Sequence, residues 1–246
     1  MIVERSMHPD WLSNAYMVAD EPGGFAVIID SGGPSAPLVE AIDRNGIAPR
    51  YLLLTHHHGD HVAENHVYKE RYDVEILADP VESEALMDVD RHIMGGETLK
   101  IGGLQIQAIS TPGHTAGMLS FLINDEEVFT GDTLFKGSVG GVRAPGSTTF
   151  EDLKHSIMDV LMKLRPEVVI RPGHTDPTTV GEEWENNAFI RVWRGLDPES
   201  DEQCTVEGEP ATLVLWAPDY DGGHKAWVRW ENGKDDIVPG SRVERG

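Results

Sequence analysis

The feature that most restricts this chain is a short apolar run, Tyr51-Leu52-Leu53-Leu54, that leads directly into Thr55-His56-His57-His58-Gly59-Asp60-His61. The run lies between Pro49 and Gly59 and reads as a buried strand. On an extended segment residues two apart project to the same side, so His56 and His58 face one point and His57 faces away. Gly59 then permits a sharp turn that brings Asp60 and His61 to that point. A solvated histidine-rich loop would have the same composition. The order His-x-His-x-Asp-His at a strand end favours a metal centre instead.

The flanking sequence sets this loop in an α/β framework. Apolar strands are predicted over 15–19 and 25–29, joined by a turn at Glu21-Pro22-Gly23-Gly24. The second strand ends in Asp30, either a turn former or a carboxylate that holds a ligating histidine in its tautomer. Helices are predicted over 34–45, 62–72 and 80–87, with strands at 51–54 and 74–78 between them. Strand–helix alternation of this kind indicates layered α/β structure. A hairpin over 99–109 follows, then strands at 118–123 and 128–130, an amphipathic helix over 150–164 and a strand at 168–170.

Three of these later strands repeat the device of the first. His114 sits in Thr111-Pro112-Gly113-His114-Thr115-Ala116-Gly117, Asp132 in Gly131-Asp132-Thr133-Leu134-Phe135, and His174 closes Arg171-Pro172-Gly173-His174. Each is a short apolar strand, a tight turn and one metal-capable side chain at its tip. A lone histidine or a Gly-Asp turn is usually structural, but four in succession make a constellation. His8, His66, His92, His155 and His224 fit no such pattern and are expected on the surface or in the core.

Charge narrows the partners. With 42 acidic and 20 basic residues the net charge is −22, which disfavours nucleic-acid backbones and anionic membranes and leaves a small-molecule substrate. The single cysteine, Cys204, allows no intrachain disulfide and suits a reducing compartment. Neither a signal peptide nor a membrane span is evident, so a cytoplasmic location is expected.

The segments Thr55–His61, Thr111–Gly117, Gly131–Phe135 and Pro172–His174, in that order, resemble the metallo-β-lactamase superfamily. The resemblance implies a four-layer αβ/βα sandwich with a metal site at one edge. Gly-Asp-Thr-Leu-Phe at 131–135 and Val180-Gly181-Glu182-Glu183-Trp184-Glu185-Asn186-Asn187 look most like the glyoxalase II group, hydroxyacylglutathione hydrolases. It further implies that His56, His58 and His114 hold one metal, that Asp60, His61 and His174 hold a second, and that Asp132 bridges them. Asp60 would also orient the nucleophile. Imidazole and carboxylate donors without thiolate suit two Zn ions, with Fe or Mn also accepted. The implied reaction is hydrolysis of a thioester or related ester by attack of an activated water on the carbonyl.

The chain departs from glyoxalase II in three places. Thr175-Asp176-Pro177 follows His174 where that group has an aromatic residue, the loop 136–143 lacks its tyrosine, and the helical C-terminal domain with basic glutathione contacts is missing. A persulfide dioxygenase is similar too, with one Fe on His56, His114 and Asp132, although its Gly-Arg-Thr-Asp loop is absent. A lactonase would use the same seven ligands. A true metallo-β-lactamase usually has a thiolate or serine in place of Asp132. A binding module that had lost catalysis would not need all seven.

Residues 1–195 are accordingly expected to form the hydrolase domain, 196–210 an acidic linker, and 211–246 a small all-β module that resembles an SH3-like barrel. Strands are predicted at 211–216, 225–230 and 236–238. Trp216, Trp227 and Trp230 either form a recognition face or, as tiny cores demand, fill the module and dock it. So small a module is marginal alone, which favours docking or a homodimer.

Overall fold

The computed structural model describes residues 1–246. The chain divides into two compact units. The first comprises Met1–Ser110, Gly117–Gly131 and Arg171–Thr175, the second Thr111–Ala116, Asp132–Ile170 and Asp176–Gly246.

The first unit opens with antiparallel strands β1 (Ile2–Met7), β2 (Asn14–Ala19) and β3 (Phe25–Ile29). The turn at 21–24 joins β2 to β3, with the Gly24 N–H donating to the Glu21 carbonyl at 3.0 Å. Helix α1 (Ser35–Asn45) buries Leu38, Ala41 and Ile42 and stops at Gly46. Strand β4 (Ala48–Leu53) lies parallel to β3. Helices α2 (Gly59–Val62) and α3 (Asn65–Tyr72) lead to β5 (Glu75–Ala78), and α4 (Pro80–Ser83) to β6 (Arg91–His92). The six strands form one sheet in sequential order. Strands β7 (Thr98–Ile101), β8 (Leu104–Ser110), β9 (Leu119–Ile123) and β10 (Glu127–Gly131) form antiparallel neighbours in a second sheet. The Arg171–Thr175 segment joins this unit through the Gly173 N–H, which donates to the Gly131 carbonyl at 2.8 Å.

Two predicted helices are shorter than expected. The helix over 62–72 is broken at Ala63-Glu64, where the Glu64 N–H reaches the Ser31 carbonyl (3.2 Å) and its carboxylate accepts from the Ser35 N–H (2.6 Å). These tertiary bonds replace helix continuation. The helix over 80–87 ends at Ser83, after which Ala85 and Leu86 bond back three residues in tighter turns.

Both faces of the first sheet are covered. On one, Met17, Ile28, Leu52 and Ile76 pack with the helix residues Leu38, Ile42 and Tyr68. On the other, Tyr16, Val27, Leu53 and Leu77 meet Ile106, Phe121 and Phe129 of the second sheet. A strand buried on both sides cannot alternate, which is why β4 reads as a continuous apolar run. This layering supplies the helix–sheet–sheet part of the expected sandwich.

In the second unit, β11 (Leu134–Phe135) and β12 (Ser138–Val139) form a hairpin. Helix α5 (Phe150–His155) is capped by Thr149, which accepts from the Asp152 N–H at 3.1 Å. The predicted helix over 150–164 does not stay α-helical. It widens into a π turn at Ser156–Val160 and tightens into a 3-10 turn at Leu161–Lys163, keeping Ile157 and Leu161 buried. Strands β13 (Val169–Pro172) and β14 (Thr178–Thr179) precede helices α6 (Val180–Asn186) and α7 (Ala188–Trp193). Five antiparallel strands follow: β15 (Glu202–Val206), β16 (Glu209–Pro218), β17 (His224–Trp230), β18 (Asp235–Pro239) and β19 (Val243–Arg245). They form one sheet in the order β18-β17-β16-β15-β19. Cys204, Val206, Leu213, Val228 and Val238 are its core. Strand β15 thus occupies part of the stretch 196–210 that reads as a linker. Trp227 is buried against Phe150 (5.1 Å) and Trp193 (6.4 Å), so the sheet docks on helices of its own unit.

Glu183 of α6 is buried, and burial pushes its carboxyl above the usual glutamate value. Hydrogen bonds from the Asn187 amide, the Gly137 N–H and the Thr178 hydroxyl oppose that shift. The unfolded chain therefore loses this proton at a lower pH than the folded one. Its contribution to stability falls as pH rises from the unfolded value through the raised folded value, and is level above it. Glu183→Gln is expected to remove this slope, so the variant gains on the parent as pH rises through that window. Denaturant melts at stepped pH would show it; parallel curves for the two proteins would refute it. No helix of the chain is long and apolar enough to cross a membrane.

Candidate metal centre

The histidine loop begins where β4 ends. Leu54 still bonds to β5 through the Leu77 carbonyl (2.9 Å), and Thr55 then turns to Asp30 at the end of β3. Asp30 is buried and adopts a left-handed backbone (φ 53°), a conformation that short polar side chains tolerate. Its Oδ1 accepts from the Thr55 N–H and its Oδ2 from the Thr55 hydroxyl, both at 2.8 Å, and Oδ2 also accepts from His61 Nδ1 at 2.9 Å. The Thr55 hydroxyl lies 3.0 Å from His56 Nδ1. Since that hydroxyl donates to Asp30, it accepts from His56. One carboxylate therefore fixes two imidazoles, directly at His61 and through Thr55 at His56, with Nδ1 protonated on both. Asp30, His56 and His61 lie close enough to hold a metal together, but Asp30's oxygens are taken by these donors, so it is a support.

Close backbone approach keeps the next turn in place. A Cβ on Gly32 would lie 1.6 Å from the Asp60 carbonyl oxygen, so only glycine fits there. The Ser31 N–H donates to the His61 carbonyl at 2.7 Å. Asp60 and His61 occupy the first turn of α2. His57 turns away, as the alternation predicts, and its ring Nδ1 bonds to Glu82. Glu82 is fully buried and also accepts from the His57 N–H (3.0 Å) and the Gly117 N–H (2.8 Å). The sequence reading missed Glu82 as a brace of the loop, because its only local sign is an acidic residue after Pro80.

His174 reaches the first unit on the return segment. The buried Asn14 side chain donates to the carbonyls of Pro172 (3.0 Å) and Thr175 (2.9 Å), and the Tyr16 hydroxyl donates to Pro172 (2.8 Å). His174 Nδ1 donates to the Trp11 carbonyl at 3.0 Å, which leaves Nε2 as the lone-pair nitrogen. That Nε2 is 3.4 Å from His61 Nε2 and 3.4 Å from Asp60 Oδ2, and His61 Nε2 is 3.7 Å from the same oxygen. Two imidazole lone pairs and a carboxylate oxygen converge with their other nitrogens already committed. Three acceptors at this spacing repel one another unless a cation lies among them. The donor set therefore fits a borderline or hard divalent metal, and the absence of thiolate disfavours a soft one. His56 and His58 stand beside this group, their rings 4.6 Å apart.

The second unit carries the other two predicted residues. His114 Nδ1 donates to the Gly141 carbonyl at 2.8 Å, and the His114 carbonyl accepts from the Ser147 hydroxyl at 2.9 Å. Its Nε2 lies 3.5 Å from Asp132 Oδ2, so these two repeat the pairing of oriented imidazole and carboxylate. Gly140 is close against this turn, where a Cβ would meet the Asp132 carbonyl oxygen at 2.0 Å. Three of the remaining histidines have ordinary partners: His8 stacks on Trp11, His155 pairs with Asp159 on the surface, and His224 stacks on Trp216.

Known proteins resemble this chain in the same region. Residues 8–174 match the metallo-beta-lactamase superfamily. The hydroxyacylglutathione hydrolase GloC of Haemophilus influenzae is 32% identical over 185 residues, covering 67% of this chain and 87% of that protein. The crystal structure of ETHE1 from Myxococcus xanthus superposes with a TM-score of 0.69 at 25% identity, over 80% of this chain and 92% of that one. The structure of TTHA1623 in a di-iron-bound form gives a TM-score of 0.61 at 31% identity, over 72% of this chain and 94% of that one. With the sheets, the loop order and the oriented histidines already in place, the match is sufficient: the chain belongs to the metallo-beta-lactamase superfamily.

Proposed function

We propose that this protein is a binuclear metal-dependent hydrolase that cleaves a thioester. The observation that carries the reading is the convergence of His61 Nε2, His174 Nε2 and Asp60 Oδ2, with both rings oriented from behind. In this reading His56, His58 and His114 would hold one ion and Asp60, His61 and His174 the other, with Asp132 available to both. Two zinc ions are the first expectation, with iron or manganese accepted by the same donors. Such a pair supplies Lewis-acid activation of water and of the acyl carbonyl. The chain's own part is to hold the ligands rigid: Asp30 and Thr55 keep His56 and His61 in one tautomer, and Trp11 and Gly141 do the same for His174 and His114. Asp60, half-buried at the start of α2, would in this reading also accept a hydrogen bond from the attacking water.

The similarity to GloC supports thioester cleavage, and the acidic surface supports a small molecule rather than nucleic acid or an anionic membrane as partner. Cys204, buried in the β module, supports a reducing, cytoplasmic setting. The likeness to ETHE1 favours a second reading, a mononuclear iron persulfide dioxygenase on His56, His114 and Asp132. Elemental analysis of the purified protein separates them, followed by assays with S-lactoylglutathione and with glutathione persulfide. About two metals per chain with thioester cleavage are expected. One iron with oxygen uptake would replace the hydrolase by the dioxygenase.

A further inference from the structure

A small cavity in the second unit carries an assignment that the metal ligands alone do not. Its volume is about 190 Å³, and its walls include His114, Arg143, Lys225 and Arg242, with Ile237 and Pro239 as apolar surface. In a chain with twice as many acidic as basic residues, this cavity has three cations and no carboxylate in its lining. The carboxylates that neutralise the cations stand outside it. Asp219 holds Lys225 at 3.0 Å, Asp236 lies 3.6 Å from Arg143, and Glu207 lies 3.9 Å from Arg143 and 3.3 Å from Arg242. The Lys225 side chain is buried, with its ammonium over the rings of Phe135 and Tyr220, and Arg143 lies over Trp230. These contacts orient the side chains yet engage few of the N–H donors that two guanidinium groups carry. Planar guanidinium groups with donors to spare match a carboxylate or phosphate in a paired geometry that ammonium alone does not.

We infer that this cavity is an anion-binding subsite, supplied largely by the C-terminal β module, that holds a carboxylate or phosphate group on the substrate's thiol carrier. The inference rests on the hydrolase reading for the word substrate, but not for the binding itself. His114 lines the cavity, so an anion seated there lies beside a residue that the proposed function gives to the metal. The volume suits the charged end of a carrier rather than a whole large one. The module thereby acquires a role: Lys225 comes from β17 and Arg242 from the turn before β19, so two of the three cations exist only because the sheet is docked.

The test is an NMR-monitored titration of the metal-loaded full chain with unreactive thioethers. One pair is 3-(methylthio)propionate and its N-methylamide; the other is 2-(methylthio)ethylphosphonate, a stand-in for phosphate with no ester bond, and 2-(methylthio)ethanol. At least one anion is expected to bind about tenfold more tightly than its neutral partner, and Arg242→Gln is expected to abolish that preference. Arg143→Gln provides a second variant, and circular dichroism and metal content establish that both remain folded and loaded. The anion that shows the preference identifies the group as carboxylate or phosphate. Equal binding of anion and neutral partner in both pairs would overturn the proposal. A preference that survives in both variants would overturn it as well, since the metals alone would then account for it. Because nothing is turned over, these outcomes are read independently of whether S-lactoylglutathione is cleaved.

Discussion

Asp60→Asn is expected to lower thioester turnover by about a hundredfold to ten-thousandfold while leaving the chain folded. The side chain is half-buried, so a neutral amide of the same shape fits where the carboxylate stood. What changes is the charge at one corner of the triangle formed with His61 Nε2 and His174 Nε2, 3.7 and 3.4 Å away. An amide is a weak ligand and a poor hydrogen-bond acceptor for a water about to lose a proton, so metal retention and positioning fall together. Steady-state kinetics, elemental analysis and a thermal melt, taken on one preparation, separate these effects. Turnover and metal content equal to the parent's would remove Asp60 from the site.

Asp30→Ala should act differently, through the fold first. Asp30 touches no expected substrate, yet its two oxygens satisfy the Thr55 N–H, the Thr55 hydroxyl and His61 Nδ1, all in a dry interior. Removing the carboxylate strands those three donors, and a loss of about 3–5 kcal/mol is expected, at roughly 1–3 kcal/mol for each buried donor left unpaired. Metal affinity at His61 should weaken about tenfold to a hundredfold as the ring loses its orientation. Asp30→Asn keeps the shape and tolerates the left-handed backbone, so its stability loss should be smaller. It presents an NH2 to a donor, however, and its metal affinity should still fall. Denaturant melts and metal titration of both variants decide the matter; an alanine variant that melts like the parent would show that Asp30 is only a turn former.

The metal-capable residues were legible because each motif is local. His56, His58, Asp60 and His61 lie within one turn of chain, and Gly-Asp and Pro-Gly-His sit on strand ends whose apolar runs are equally short-range signals. What joins them was less visible. Glu82 braces the histidine loop from a helix whose sequence reads as ordinary exposed surface, and nothing adjacent in the chain announces its partners, His57 and Gly117. Strand β15 was hidden for a related reason. Residues 202–206 bury only Cys204 and Val206, and they become a strand by pairing with β16 on one side and with residues 243–245 on the other. Of the acidic side chains that suggested a linker only Glu202 lies in the strand, where it forms a two-point ion pair with Arg245. Helix interruptions belong to the same class: Glu64 leaves the helix to serve bonds to Ser31 and Ser35, about thirty residues away along the chain. For these helices local propensity carried the type, and long-range bonds decided where each stopped.

The hold of Asn14 and Trp11 on the segment around His174 also sets a timetable. These bonds span 161 and 163 residues of sequence, so they close only when nearly three-quarters of the chain has left the ribosome. Contacts of such separation are slow to form, because the intervening chain must first be ordered. Until then His61 and Asp60 lack their third neighbour, and the nascent chain presents only the local cluster of the histidine loop. Metal capture in the finished geometry is thus deferred until strands β1 to β10 have already emerged.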